Sequence, residues 1–215
     1  MAWVPGGAGN MASSYWAWSM GAAEPGQPPR RLAAILRLLD RHSPADAKEA
    51  HDIQRIRQLV HERHDILSAR CQVGHITASA LIIDCASGRI LLHFHRKLKR
   101  WLQVGGHLET GESDPALAAL REAREETGLP DLVFCPQAAM PLDIDVQNIP
   151  ARADMPAHLH LDFRYLLATR HPQALAPEPG ESAQFRWLTV QGTLAMGAAL
   201  DSSLRRLLRK AEGIG

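Results

Sequence analysis

Gly105-Gly-His-Leu-Glu-Thr-Gly-Glu112, followed after eight residues by Arg121-Glu-Ala-Arg-Glu-Glu-Thr-Gly-Leu129, is the stretch from which the rest of the chain is read. On an α-helix, positions 122, 125 and 126 fall at i, i+3 and i+4, so Glu122, Glu125 and Glu126 project from one face. Three carboxylates that close repel one another unless a cation joins them. Mg²⁺ suits such a site, with Mn²⁺ as its substitute: it is hard, prefers oxygen, takes a few carboxylates, keeps several waters and recruits phosphates. A metal bridging phosphoryl oxygens withdraws electron density from phosphorus, orients an attacking water and neutralises the leaving phosphate. Glutamates spaced this way also describe the solvated, salt-bridged face of an ordinary helix. Gly105, Gly106 and Glu112 ahead of them and Gly128 behind them favour the chemical reading.

Working outward, the helix is expected from about Asp114 to Thr127, with Asp114 as N-cap, Pro115 in the first turn and Gly128 as terminator. Upstream, Ile76 to Ile83 and Ile90 to Phe94 read as a hairpin around a Ser87-Gly88 turn. Downstream come strands near Leu132 to Val146, His158 to Leu167 and Phe185 to Leu188, then a helix carrying Leu204, Leu207 and Leu208. Ahead of the hairpin, Leu32, Ile35, Leu36, Leu38 and Leu39 recur at helical spacing within Arg30 to Arg41. Ser43, Pro44 and Asp46 read as the N-cap, first-turn proline and acidic third position of a second helix through Ile53, Ile56, Leu59 and Val60. The class is α/β (α+β), a mixed sheet between helical layers preceded by two helices. The expected division is a disordered tail at 1–28, a helical extension at 29–70 and the main domain at 71–215.

With 215 residues, 46% hydrophobic and 22% charged, the chain suits one domain with an appendage and is short for two. A net charge of +1 leaves no global footprint for long nucleic acid or an anionic membrane, so anion recognition has to come from local placement. Cys71, Cys85 and Cys135 stand at wide spacings without a Cys-x-x-Cys pair or a zinc pattern, as expected of reduced thiols in a cytoplasmic protein. The first 28 residues carry no early Lys or Arg and no apolar run of spanning length, and so read as neither signal peptide nor anchor. Met11 and Met20 are alternative starts.

The quoted segment closely resembles the Nudix box, whose pattern is Gly, five residues, Glu, seven residues, then Arg-Glu-apolar-x-Glu-Glu-x-Gly-apolar. The resemblance extends from about Ile76 to the terminal helix and implies an α/β/α sandwich that hydrolyses a diphosphate linkage in a nucleotide-like substrate. Carried over residue by residue, it implies that Gly106 lends its carbonyl to the metal, that Glu122, Glu125 and Glu126 are ligands, and that Arg121 orients carboxylates. Glu112 is the isolated glutamate. The chain departs from the pattern in one place: Ser113 to Leu120 make eight residues where the family has seven, with the extra one expected at Asp114-Pro115. The family also recruits a late loop glutamate as ligand or general base, for which Glu181 is the candidate and Glu178 the runner-up. Ile144 stands where ADP-ribose enzymes carry a proline, which weakens that substrate assignment. Dimers are frequent in the family, and the N-terminal helices offer apolar surface for a homodimer. The competing reading is a non-catalytic Nudix-fold binding module, though such modules commonly lose box glutamates that are present here. A Nudix-fold isomerase ranks last, since no cysteine sits in a context that matches it.

Three further groups stand out. His158, His160, Asp162 and Arg164 alternate and share one face of a strand, with Asp143 and Asp145 expected beside them, as a second metal or substrate site. Arg96, Lys97, Lys99 and Arg100 precede the expected Gly-Gly turn and are candidate phosphate contacts. Trp101 and Phe94 are candidates for stacking on a base. Each group also has an ordinary reading, as a water-facing sheet surface, a charged loop tip or core aromatics.

Overall fold

The apolar run after Cys71 forms β1 (Gly74–Asp84), the hub of an eight-stranded sheet in a computed structural model that describes residues 29–96, 98–135, 140–152, 155–197 and 200–213. The expected N-terminal tail and Lys97 lie outside those residues. Along one edge β1 pairs in parallel with β7 (His158–Thr169), from Gly74 opposite Leu159 to Asp84 opposite Thr169. Its other edge is shared by two antiparallel strands, β2 (Ile90–His95) at one end and β4 (Val104–His107) in the middle. β2 carries β3 (Arg100–Leu102) and β8 (Phe185–Leu188), while β7 carries β5 (Val133–Phe134) and β6 (Asp143–Ile149). Both faces of β1 are buried, as a central strand between helical layers requires. Ile76, Ala78, Ala80 and Ile82 join one core with α1 (Arg30–Arg41), α2 (Ala47–Glu62) and α3 (Pro115–Thr127). Leu81 and Leu166 face the other way, into a cluster with Val190 of α4 (Val190–Leu194) and Leu204, Leu207 and Leu208 of α5 (Ser202–Glu212).

Several expectations are corrected. Asp46, not Ser43, caps α2, accepting from Glu49 N at 2.8 Å. Glu49 folds back to take the Ala45 N–H at 2.6 Å and sits 2.7 Å from His42 Nε2, which leaves residues 43–45 outside the helix. Gly105 and Gly106 are not a turn but part of β4. Gly105 has φ +147°, and a Cβ there would lie 2.4 Å from Ser79 Cβ, so only glycine lets β4 close on β1. The strand expected from Leu132 to Val146 is two strands, β5 and β6, and β3 and α4 were not foreseen.

The apolar faces of α1 and α2 are not free for a homodimer, because Leu32, Ile35, Leu39, Ile53, Ile56, Leu59 and Val60 are spent on the chain's own core. At about 1.5–3 kcal/mol per buried side chain, that face firmly attaches both helices to the sheet. Polar contacts add register. Glu49 accepts the Ile144 N–H and Asp52 the Val146 N–H, both at 3.0 Å, so carboxylates one helical turn apart satisfy alternate donors on the outer edge of β6. Among the described residues, no helix is long and apolar enough to cross a membrane.

Candidate active site

The platform is α3, and its sequence explains its placement. Asp114 accepts from Ala116 N at 2.9 Å, Pro115 opens the helix, and Gly128 ends it at φ +67°. Ala116, Ala118, Ala119 and Ala123 form the buried face, which lets the helix backbone come close to β1 and β4. A Cβ on Gly128 would lie 2.0 Å from the Ala176 carbonyl, because the late loop crosses there. That loop is stitched to the end of the helix by Ala176 N to Thr127 O at 2.8 Å and Glu178 N to Glu125 O at 2.9 Å.

Arg121 gathers the acids. Its Nε and Nη2 donate to the two oxygens of Glu112 at 2.9 and 3.0 Å, a fork that fixes both planes. Its Nη1 donates to Glu122 at 3.0 Å and Glu125 at 2.9 Å, and Nη2 also reaches the His107 carbonyl at 2.9 Å. The extra residue between Glu112 and Arg121 therefore does not part them. Glu126 is not held by Arg121; it accepts the Gly105 N–H at 3.0 Å, with His93 Nδ1 at 3.7 Å.

Charge is unevenly matched. Arg121 holds the Glu112 carboxyl below its ordinary range. Burial pushes Glu122 up against the pull of Arg121. Burial, together with repulsion from Glu122, Glu181 and Glu125, pushes Glu126 up to about 8, with only the Gly105 N–H opposing it. Glu181 is among the acids whose charge raises Glu122 and Glu126. A Cβ on Gly106 would sit 2.6 Å from the Glu122 carboxylate, so backbone and acid face each other with no side chain between them. Clustered carboxylates beside bare backbone are an all-oxygen donor set, short of positive charge, that fits a hard divalent cation.

The remaining expected residues scatter. Arg96 is exposed beyond β2. Trp101 is half-buried on β3, its ring 5.4 Å from that of Phe94 and covered by the Arg186 guanidinium at 4.4 Å. Asp162 is corrected from substrate contact to structural acid: it is 5% exposed and accepts from Thr77, Ser79 and Arg164 at 3.1, 2.9 and 3.0 Å. Asp143 and Asp145 do lie opposite Arg164 and Asp162, but inside a network with Arg206. His160 belongs to a separate histidine cluster. The sequence reading missed His93 beside Glu126, whose proximity only the β2–β1–β4 pairing creates. It also missed a groove of about 260 Å³ next to Glu112, lined in part by Arg31, His64 and Arg70.

The comparisons with known proteins set this fold among hydrolases of pyrophosphate linkages. A family model described as NUDIX domain matches residues 74–209, and the chain belongs to that family. A NUDIX-family hydrolase from Clostridium perfringens is 27% identical with a TM-score of 0.51, over 65% of this chain and 95% of that one. A C. elegans Ap4A hydrolase is 20% identical with a TM-score of 0.45, over 64% and 96%. An E. coli dihydroneopterin triphosphate pyrophosphohydrolase is 20% identical with a TM-score of 0.47, over 63% and 92%. A search of curated proteins finds no match.

Proposed function

We propose that the protein hydrolyses the diphosphate linkage of a nucleoside diphosphate joined to another group, or of a nucleoside triphosphate, with Mg²⁺ or Mn²⁺ as cofactor. The observation that carries this is the half-buried carboxylate cluster of Glu122, Glu125 and Glu126 beside Gly106, in which Arg121 answers the first two and no arginine or lysine answers Glu126 among the described residues. These three glutamates and the Gly106 carbonyl would hold the metal, which when bound polarises phosphoryl oxygens and offsets their charge. Arg121 holds Glu122 and Glu125 in their orientation, and Glu112 holds Arg121. Glu181, beside the cluster, is the candidate to take a proton from the attacking water. Of the basic residues ahead of β3, Arg96 stands exposed and free to meet a phosphate, whereas the ring of Trp101 already has Arg186 over it. The protein's setting is proposed to be the cytoplasm.

The test is product analysis on a panel of nucleotides and nucleotide conjugates with Mg²⁺ or Mn²⁺, comparing wild type with Glu126→Gln. Metal-dependent cleavage that the variant lacks would support the reading and name the substrate. Equal silence from both proteins across the panel would sink it.

A further inference from the structure

A second group of ligating side chains stands apart from the glutamates. In the parallel register of β1 and β7, His75 lies opposite His160, and His158 is two residues back on the same face of β7. One ring nitrogen from each of His75, His158 and His160 lies within 4.8 Å of the other two. The rings of His75 and His158 stack with centroids 5.1 Å apart, and that of His160 lies 4.9 Å from His75 and 5.3 Å from His158. His107, at the end of β4, closes one side, its ring 4.9 Å from His75 and 5.1 Å from His160.

Hydrogen bonding aims two of these rings. His75 is 1% exposed, and its Nε2 has no hydrogen-bond partner among the described residues. Its Nδ1 faces the Cys71 carbonyl at 3.5 Å, and His158 Nδ1 faces the Pro156 carbonyl at 2.8 Å. A carbonyl only accepts, so each Nδ1 carries the proton and each Nε2 presents a lone pair; metal-ligating histidines are fixed in the same way. A buried ring nitrogen with no partner, on a histidine grouped with two others, is hard to justify as packing, because such an atom forfeits its hydration for nothing.

We infer that His75, His158 and His160 form a transition-metal site with Zn²⁺ as its best-fitting occupant. Three imidazoles make a borderline-soft donor set that selects against Mg²⁺ and leaves a fourth position open. Zn–N bonds of about 2.0–2.1 Å bring the nitrogens of a tetrahedral site to roughly 3.4 Å apart, which the rings reach by rotating inward. The ion would clip the start of β1 to the start of β7. It would do so next to His107, whose carbonyl Arg121 holds.

The experiment uses the full chain stripped of metal, with excess Mg²⁺ present to occupy the glutamates, and Co²⁺ then Zn²⁺ as probes. One equivalent of Co²⁺ is expected to bind with the visible absorption of a nitrogen-ligated, low-coordinate ion, and Zn²⁺ to displace it. His158→Gln and His160→Gln should each weaken Zn²⁺ binding by at least ~100-fold, more than the loss of a residue that merely orients a ligand. Glu126→Gln should keep the Co²⁺ band. No band in the wild type, or a band lost in Glu126→Gln and kept in both histidine variants, would overturn the site. Circular dichroism checks that the variants fold. If either does not, histidine side-chain NMR of the wild type decides: Zn²⁺ must move the Nε2 signals of all three residues together, and no movement overturns the proposal. Since the readout is metal binding and not turnover, its failure leaves the hydrolase reading untouched.

Discussion

Around Arg121, three carboxylates share one guanidinium while Glu126 has only a backbone N–H; beneath α5, Asp143, Asp145 and Asp162 are met by Arg164, Arg206, Lys48 and Lys210. Both regions are acid clusters organised by arginine. In the inner one, each acid has cationic donors at hand, and Arg164 and Lys48 hold Asp145 down at about 2 despite the burial that acts the other way. In the outer one, desolvation and mutual repulsion win, and Glu126 rises. A high count of acids therefore does not mark a metal site in this molecule. What singles out the proposed metal site is burial that the chain's own cations leave unanswered.

The sharpest test of this contrast is to remove one charge from each region, an acid from the outer and a cation from the inner. Glu126→Gln should cost on the order of 10³-fold in turnover, several kcal/mol of lost charge stabilisation, while the metal-free variant melts no lower than wild type. Arg164→Met should do the reverse: about 3–5 kcal/mol of stability lost in urea unfolding, because buried aspartates are left short of a partner, with activity per folded molecule largely kept. If both variants lose mainly stability, the two regions are alike and the contrast fails.

Titration separates the regions next. The folded state raises Glu126 from 4.5 to about 8, so it binds a proton there that the unfolded chain has released. The stability this proton contributes is fully present below pH 4.5 and is lost as pH rises through about 8. Metal-free protein should thus melt lower at pH 8 than at pH 5, and Mg²⁺ binding at pH 7 should release close to one proton, as read by calorimetry in two buffers of different ionisation enthalpy. Asp145, lowered to about 2, contributes stability that persists across that whole range. Mg²⁺ binding without proton release would show that Glu126 is already ionised. The smallest effect belongs to Glu112→Gln, which weakens the fork on Arg121 without touching the proposed ligands. A fall of roughly 10-fold in kcat with little change in Mg²⁺ affinity is expected from steady-state kinetics, and an unchanged kcat would make Glu112 a bystander.

Much of this was legible in the sequence. The i, i+3, i+4 spacing put Glu122, Glu125 and Glu126 on one face, and Asp114, Pro115 and Gly128 marked the helix ends because caps act locally. Phe185–Leu188 needed only its apolar pattern. The failures were long-range. Gly105 and Gly106 carry a turn's composition, yet they lie in a strand because Ser79 leaves no room for a side chain opposite. Asp143 and Asp145 look like a surface patch until Arg206, some sixty positions further along, is folded onto them. The helices before residue 70 gave no sign that Glu49 and Asp52 would finish the edge of β6.

The buried alanines of α3 carry one more consequence. Ala116, Ala118, Ala119 and Ala123 hold the helix as near the sheet as its methyl groups allow, and the gap between Gly106 and Glu122 depends on that closeness. Four residues with no reactive atom thus act as the shim that sets the working clearance of the machine. A scan confined to charged side chains would pass over them, although one added isopropyl group there would shift every ligand at once.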